Sequence, residues 1–374
     1  MDAEAAVMAE PGSLERRRVT LPDPGPDDVL LRVEVNGICG TDVHMYGGGM
    51  DLDDPLLPGH EFTGVVEHLG EDVNTDATGT SIEEGDWLTV VPGIYYGGDW
   101  YAQNMPTRPP LSTDRDVYGF LNAEGTTLGG GLCEYAVLTE DATYYRLPDG
   151  LDRELGALTE PLSVAMHAVE RAVQPGLPSM REGFGTGRSV AVQGAGPIGL
   201  LCVAAARAAG AGQIIAIDAI DDRLGMAGRF GATETVDLTA HDDDESLYDA
   251  VHDLTSGGVG PDVVVEAAGV PQAFRQALEL VHDGGSVVEA GHYAYSGEVE
   301  INPTRIVQKE LDIYGSKANP PGQFETALSL LNRWQDRIPF GDLLNFGVGL
   351  DNVTEAYERQ AEGKAYRATV HPQQ

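Results

Sequence analysis

Short apolar runs, set apart by glycine, proline and aspartate, make up the first part of the chain. Segments 29–35, 63–69, 87–91 and 134–138 have strand length and end on such punctuation, which predicts a β-rich first part. From about residue 162 the rhythm changes. Residues 189–193 read as a buried strand, and 198–209 have helical length with small residues suited to close packing. A second strand follows at 213–218 and a helix-like stretch at 223–230, then strand-like runs at 263–267 and 286–290 beside helical patterns. Strands alternating with helices predict a parallel, doubly wound sheet. After about residue 312 a shorter mixed pattern resumes, and no internal repeat or low-complexity segment is present. The stretch 95–128, rich in glycine, proline and polar residues, is long for a loop in a compact domain. It is therefore a candidate functional or interface segment.

Length and composition narrow the class. At 374 residues the chain is long for one domain, and 42% hydrophobic residues suffice for sizeable cores. No apolar run approaches the length of a membrane span, and residues 1–12 lack the basic stretch and apolar core of a signal peptide. A cytoplasmic location without a membrane partner is the expectation. Three widely spaced cysteines, Cys39, Cys133 and Cys202, argue against a disulfide framework.

Charge is the unusual feature. Sixty acidic residues face 23 basic ones, a net of −37, and only Lys309, Lys317 and Lys364 are lysines. A solvated face accounts for any single cluster, such as Asp242 to Glu245. A whole chain so acidic, with globular hydrophobicity, fits a cytoplasm of concentrated salt, where the self-repulsion is screened. The same charge excludes nucleic-acid binding, since no basic patch could neutralise phosphates.

Residues 189–193 lead directly into Gly194-Ala195-Gly196-Pro197-Ile198-Gly199 and then a helix. The first glycine permits the tight turn, the second lets backbone approach a pyrophosphate, and the third lets helix pack on strand. The helix start then offers free N–H groups to phosphate. Alone the motif is weak in a chain with 48 glycines, but strand and helix flank it correctly. Asp218 ends the next strand, where a carboxylate accepts from ribose hydroxyls and repels a 2′-phosphate. NAD is thus expected over NADP. Arg223 tempers that preference, because it stands where it could reach ribose or phosphate.

Three stretches hold groups suited to metal chemistry. They are Gly37-Ile38-Cys39-Gly40-Thr41-Asp42-Val43-His44, Pro58-Gly59-His60-Glu61, and Leu158-Thr159-Glu160-Pro161. Thiolate, imidazole and carboxylate together suit zinc. Taken singly, a buried cysteine or strand-edge histidine is more often structural, and Glu160 could be a simple helix-start carboxylate. Their joint appearance with the dinucleotide motif changes that balance.

With these motifs the chain resembles the zinc-containing alcohol, polyol and sugar dehydrogenases of the medium-chain dehydrogenase/reductase superfamily. The most specific signal is Gly59-His60-Glu61 followed by Gly64 and Gly70, and the resemblance runs from Leu21 to Arg367. It implies an α/β protein with a GroES-like β-barrel catalytic domain, residues 1–161 and 313–374, and a doubly wound Rossmann domain, 162–312. Cys39 and His60 match zinc ligands. Glu61 matches a carboxylate that ligates zinc or lies beside it, and Glu160 one that ligates directly or through water. Asp42 matches a residue that orients His60. Thr41 and His44 match a relay that carries the proton of the substrate hydroxyl, acidified by zinc, out towards solvent. Arg367 resembles a pyrophosphate-contacting arginine.

A structural zinc held by four close cysteines is common in such proteins, but residues 93–131 contain no cysteine, so one catalytic zinc is expected. The long loop must then be ordered by its own packing, by a partner subunit, or not at all. Tyr95, Tyr96, Trp100, Tyr101 and Tyr118 are candidates for a substrate pocket or for support of that loop. Residues 299–303 lie where relatives pair strands, so a homodimer or homotetramer is expected.

The leading expectation is reversible NAD-dependent oxidation of a secondary alcohol, polyol or cyclic alcohol. Rivals are a sugar 1-dehydrogenase, a zinc-free quinone or enone reductase, which Cys39 and His60 speak against, and a non-catalytic dinucleotide-binding protein. The charge yields a direct prediction. Thermal melts should show a midpoint that falls steeply from molar potassium chloride to tens of millimolar, where screening extends to roughly 15–30 Å. An unchanged midpoint would remove the salt-adapted reading.

Overall fold

The computed structural model describes residues 1–50, 55–173 and 183–374. The chain divides into two compact units, one of residues 1–160 with 319–374 and one of residues 161–318.

The first unit is built from mainly antiparallel sheets, with Phe346–Gly349 and Ala368–His371 paired in parallel. Asp2–Glu10 and Ser13–Thr20 form a hairpin, which continues through Leu56–Leu57 to Leu121–Asn122. The second hairpin strand carries Arg16, Arg17 and Arg18 on exposed positions, paired with Glu4, Glu15 and Asp351. That polar run hides the strand from a search for apolar segments. The larger sheet has seven strands, with Val29–Gly37 and Glu61–Leu69 at its centre. These are the segments anticipated at 29–35 and 63–69. Their apolar residues meet Trp87–Val90 and Tyr135–Leu138 in one buried cluster around Phe62 and Tyr118. A second cluster, around Ile38, Met45 and Tyr357, joins the Gly40–Tyr46 helix to the Val353–Ala361 helix near the chain end.

The long stretch 95–128 is folded. Gly93–Tyr95 pairs with Arg115–Val117, and the Trp100–Asn104 helix lies between them in sequence. Asp99 organises it: its carboxylate accepts from Ala102 N–H at 2.8 Å and from Thr113 N–H and hydroxyl at 2.5 and 3.0 Å. These backbone hydrogen bonds hold Asp99 down to about 2. Tyr118 is fully buried and donates to the Val137 carbonyl at 2.8 Å, so it supports the loop from below. Trp100 and Tyr96 are exposed.

The second unit is a six-stranded parallel sheet in the order Glu234–Asp237, Gln213–Asp218, Ser189–Gln193, Val263–Glu266, Ser286–Glu289, Asp312–Gly315. The first three run outward from the centre and the last three continue on its other side, which creates a switch point beside Ser189–Gln193. The sixth strand belongs to this sheet through pairing with Ser286–Glu289, so the unit extends past residue 312. Residues 299–302, anticipated in an intersubunit strand, form no strand within the single chain. Lys309, one of the three lysines, is buried and donates to the carbonyls of Leu278, Glu279 and Val281, which end the Pro271–Leu280 helix. Among the described residues no helix is long and apolar enough to cross a membrane.

Glycine positions allow a paired test. Gly64 lies opposite Val33, and a Cβ there would overlap the Arg32 carbonyl and reach 3.0 Å from Val33 Cα. Gly228 lies on the exposed side of the Asp221–Phe230 helix, with nothing within 4 Å of an added Cβ. Gly64→Ala should lower stability by about 1–3 kcal/mol, as overpacked sites do. Gly228→Ala should raise it by about 0.5–1 kcal/mol, as expected of glycine replaced inside a helix. Chemical denaturation of both variants checks the pair, and equal effects would contradict the strand register.

Candidate metal centre and dinucleotide site

Antiparallel pairing assembles the metal centre. Gly37 lies opposite Glu61, and Asn36 opposite Phe62. Cys39, two residues beyond the end of one strand, therefore meets His60, one residue before the start of the other. The Asn36 side chain fixes this corner by accepting from Glu61 N–H at 3.2 Å and donating to the Gly37 carbonyl at 2.8 Å. The strand Ala368–His371 pairs on the other side of Asn36 and Gly37, which delivers Arg367 to the same corner. Gly37 has to be glycine here, since a Cβ would lie 2.5 Å from Glu61 Oε2 and 3.2 Å from Arg367 Cδ.

Donor atoms of Cys39, His60 and Glu61 lie within 4.8 Å of one another. Cys39 precedes the Gly40–Tyr46 helix, and its N–H donates to Asp42 Oδ2 at 2.8 Å. The other Asp42 oxygen stands 3.4 Å from His60 Nδ1. One buried carboxylate thus braces both residues. Burial opposes charge on the His60 ring, but Asp42 and Cys39 outweigh it and raise its pKa well above the ordinary value.

Glu61 is completely buried, and its Oε2 accepts a very short contact from Arg367 Nη1. Its Oε1 is buried and accepts no hydrogen bond. Arg367, anticipated at the pyrophosphate, is 2% exposed and pairs here with Glu61 in the first unit. Its guanidinium pKa is raised: burial works against the charge, but Glu61, Cys39 and Glu160 retain it.

Glu160 is buried nearby but does not share the compact donor set. Asn319 Nδ2 donates to its Oε1 at 3.3 Å. Burial, then the Glu61 carboxylate, pushes Glu160 up to about 7, against the pull of His60, Arg367 and Asn319. Asn319 was not anticipated, and it stands 159 residues from its partner with no motif to mark it. Thr41 Oγ1 lies 3.7 Å from Cys39 Sγ, and His44, one helical turn on, is exposed. A sulfur, a ring nitrogen and a buried carboxylate oxygen without a partner form a donor set that fits a zinc ion.

The dinucleotide motif lies in the second unit. Gly194 has φ +88°, and a Cβ there would lie 2.7 Å from Ala268 Cα. Gly199 packs against the Gly194 carbonyl with no room for a side chain, whereas the space beside Gly196 is open. Pro197, which has no N–H of its own, begins the Pro197–Ala208 helix, so the first-turn N–H groups beside that space start at Ile198. Asp218, 6% exposed, accepts from Ala195 N–H at 2.7 Å and Ile220 N–H at 3.0 Å. It therefore also braces the glycine turn. Arg223 Nη1 stands 3.9 Å from it. A glycine turn with an open approach, a helix start and a buried acid fit a dinucleotide.

Comparison with known proteins decides the family. Residues 25–149 match the alcohol dehydrogenase GroES-like domain, and residues 197–333 match the zinc-binding dehydrogenase domain. The 5-exo-hydroxycamphor dehydrogenase of Pseudomonas putida is 32% identical over 98% of both chains. This chain belongs to the zinc-binding medium-chain dehydrogenases. The D-xylulose reductase of Scheffersomyces stipitis is 32% identical, covering 91% of this chain and 90% of its own. A Sinorhizobium meliloti structure bound to NADP superposes with a TM-score of 0.84 at 31% identity over the full length of both chains. The first unit is accordingly a GroES-like domain and the second a Rossmann domain. The protein is a zinc-binding, NAD(P)-dependent dehydrogenase of the alcohol and polyol branch, acting on CH–OH groups.

The shifted Glu160 sets a pH dependence for the metal-free chain. Its pKa is raised on folding, so its contribution is full below the unfolded value near 4.5 and lost as pH rises through about 7. Melts of chelator-treated protein between pH 5 and 8 should lose stability with rising pH, and Glu160→Gln should flatten that loss. An identical slope in the two proteins would contradict the assignment.

Proposed function

We propose that the protein oxidises a secondary alcohol, polyol or cyclic alcohol with NAD at a single zinc held by Cys39, His60 and Glu61. Glu160 adjoins that set, directly or through water. The observation that carries the reading is that donor atoms of those three residues lie within 4.8 Å of one another, with Glu61 Oε1 making no hydrogen bond. A zinc held there would supply Lewis acidity, and a nicotinamide cofactor held by the glycine turn would supply hydride-transfer chemistry. The residues of the chain do the rest. Asp42 lies 3.4 Å from His60 Nδ1 and places a negative charge beside that ring. Arg367 pairs with Glu61 and offsets its buried charge. Thr41 takes the hydroxyl proton and passes it outward, where exposed His44 releases it to solvent. Relatives named for a hydroxylated camphor and for a pentulose support cyclic alcohols and polyols as the substrate class.

Asp218 supports NAD as the cofactor, since a 2′-phosphate would meet its carboxylate at the end of the Gln213–Asp218 strand. Arg223 and the NADP-bound relative weigh the other way. The loss of charge-assisted ribose hydrogen bonds, each worth about 1.5–3 kcal/mol, favours NAD by tenfold or more. The net charge of −37 and exposed acids such as Asp242, Asp243 and Glu245 support a salt-rich cytoplasm as the setting.

An alcohol, polyol and sugar panel followed by NADH absorbance in molar salt tests the reading. Cyclic alcohols or polyols should turn over with NAD at least tenfold more efficiently than with NADP. Cys39→Ala should abolish both bound zinc and turnover while leaving NAD binding in place. Preference for a sugar at its anomeric carbon, or NADP equal to NAD, would overturn the substrate or cofactor part respectively. Full activity in Cys39→Ala would overturn the metal centre.

A further inference from the structure

We infer that Glu266, Glu289 and His292 form a second cation site, which takes a divalent ion of the manganese class through two carboxylate oxygens and one imidazole nitrogen. The site lies wholly in the Rossmann unit and uses no ligand of the centre proposed above, so each stands or falls separately.

Sheet register creates it. Glu266 and Glu289 end neighbouring parallel strands and lie side by side in register. Two residues of loop, Ala290 and Gly291, then bring His292 back to the same place. His292 Nδ1 stands 2.9 Å from Glu289 Oε1 and 3.3 Å from Glu266 Oε2, and one donor atom from each residue falls within 4.8 Å of the others. An ion with bonds of about 2.1 Å and angles between those of an octahedron and a tetrahedron holds adjacent donors roughly 3.0–3.4 Å apart. The observed spacing needs little adjustment.

Glu289 Oε1 accepts from the N–H groups of Gly291 and His292 at 3.1 and 3.2 Å and is in hydrogen-bond contact with His292 Nδ1, but other polar atoms at this place make no hydrogen bond. Glu266 is fully buried, and its Oε1 accepts from Ala268 N–H at 2.8 Å and Gly269 N–H at 2.9 Å. Its Oε2 is aimed at the cluster and accepts no hydrogen bond, and Glu289 Oε2 and His292 Nε2 are also buried without one. A Cβ at Gly291 would run into Glu266 Oε2, so the sequence keeps this space clear. Two touching carboxylates so placed need a compensating positive charge or a shared proton.

The donor chemistry differs from that at Cys39. Two carboxylates and an imidazole, without sulfur, suit a harder ion with open positions for water, whereas a thiolate site retains zinc. The location gives the ion a role. Glu266 anchors Ala268 and Gly269, and Ala268 is the residue against which Gly194 turns. A bound ion would steady the wall of the dinucleotide turn.

Manganese titration of the zinc-loaded, full-length protein, followed by electron paramagnetic resonance in molar potassium chloride, tests the proposal. Comparison with variants separates this site from ions scattered over the acidic surface. Wild type should bind one manganese ion per chain beyond the number bound by Glu289→Gln. Glu266→Gln and His292→Asn should each weaken that binding at least tenfold, with zinc content unchanged. Glutamine at 266 still accepts from Ala268 and Gly269, which keeps the loop folded, and His292→Asn provides a readout if a glutamate variant unfolds. Equal binding by wild type and all three variants would overturn the site. So would manganese that is lost from Cys39→Ala but kept by Glu266→Gln.

Discussion

Buried negative charge is the constraint around which the catalytic unit is arranged. Asp42, Glu61 and Glu160 are all buried beside the Cys39 thiol, with Arg367 as the one permanently cationic partner. Removing so many carboxylates from water costs several kcal/mol each unless opposite charge and hydrogen bonds replace the lost solvation. Arg367 answers for Glu61, the Cys39 N–H and His60 for Asp42, and Asn319 for part of Glu160. Glu61 Oε1 is left without a partner, and a divalent ion among Cys39, His60 and Glu61 would provide one. Without the ion, the proton held by Glu160 up to about pH 7 serves the same balance. Protonation and metal binding therefore compete for one electrostatic role.

The two units distribute charge differently. The chain carries a net charge of −37, and salt can screen the part of it that lies on exposed positions. Inside, short-range hydrogen bonds hold several of the buried acids. Asp218 takes two backbone N–H groups around the glycine turn, and Asp262 takes the Ser189 N–H and hydroxyl at the opposite end of the Ser189–Gln193 strand. The interior is thus insulated from ionic strength by short-range bonds, while the surface depends on it. At Glu266 and Glu289 the Rossmann unit brings two carboxylates beside one imidazole.

The parts legible in the sequence were those encoded locally. Glycine spacing marked the dinucleotide turn, because each glycine meets a nearby steric limit at Ala268 or Gly194. Cys39, His60 and Glu61 were legible because they sit at strand ends with distinctive neighbours. Long-range pairing was not. Arg367 lies 306 residues from Glu61, and only the register of the Ala368–His371 strand shows that they meet. Glu266 and Glu289 close two ordinary apolar strands, and only parallel register sets them side by side. The Arg16–Arg18 strand was hidden by its charge, and the folding of residues 95–128 by its dependence on Asp99 rather than on apolar periodicity.

The central claim is the composition of the metal centre, and zinc-edge X-ray absorption of the purified protein tests it most directly. One sulfur at about 2.3 Å with two or three nitrogen or oxygen neighbours at about 2.0–2.2 Å is the predicted shell. A shell of several sulfurs, or one with none, would contradict it.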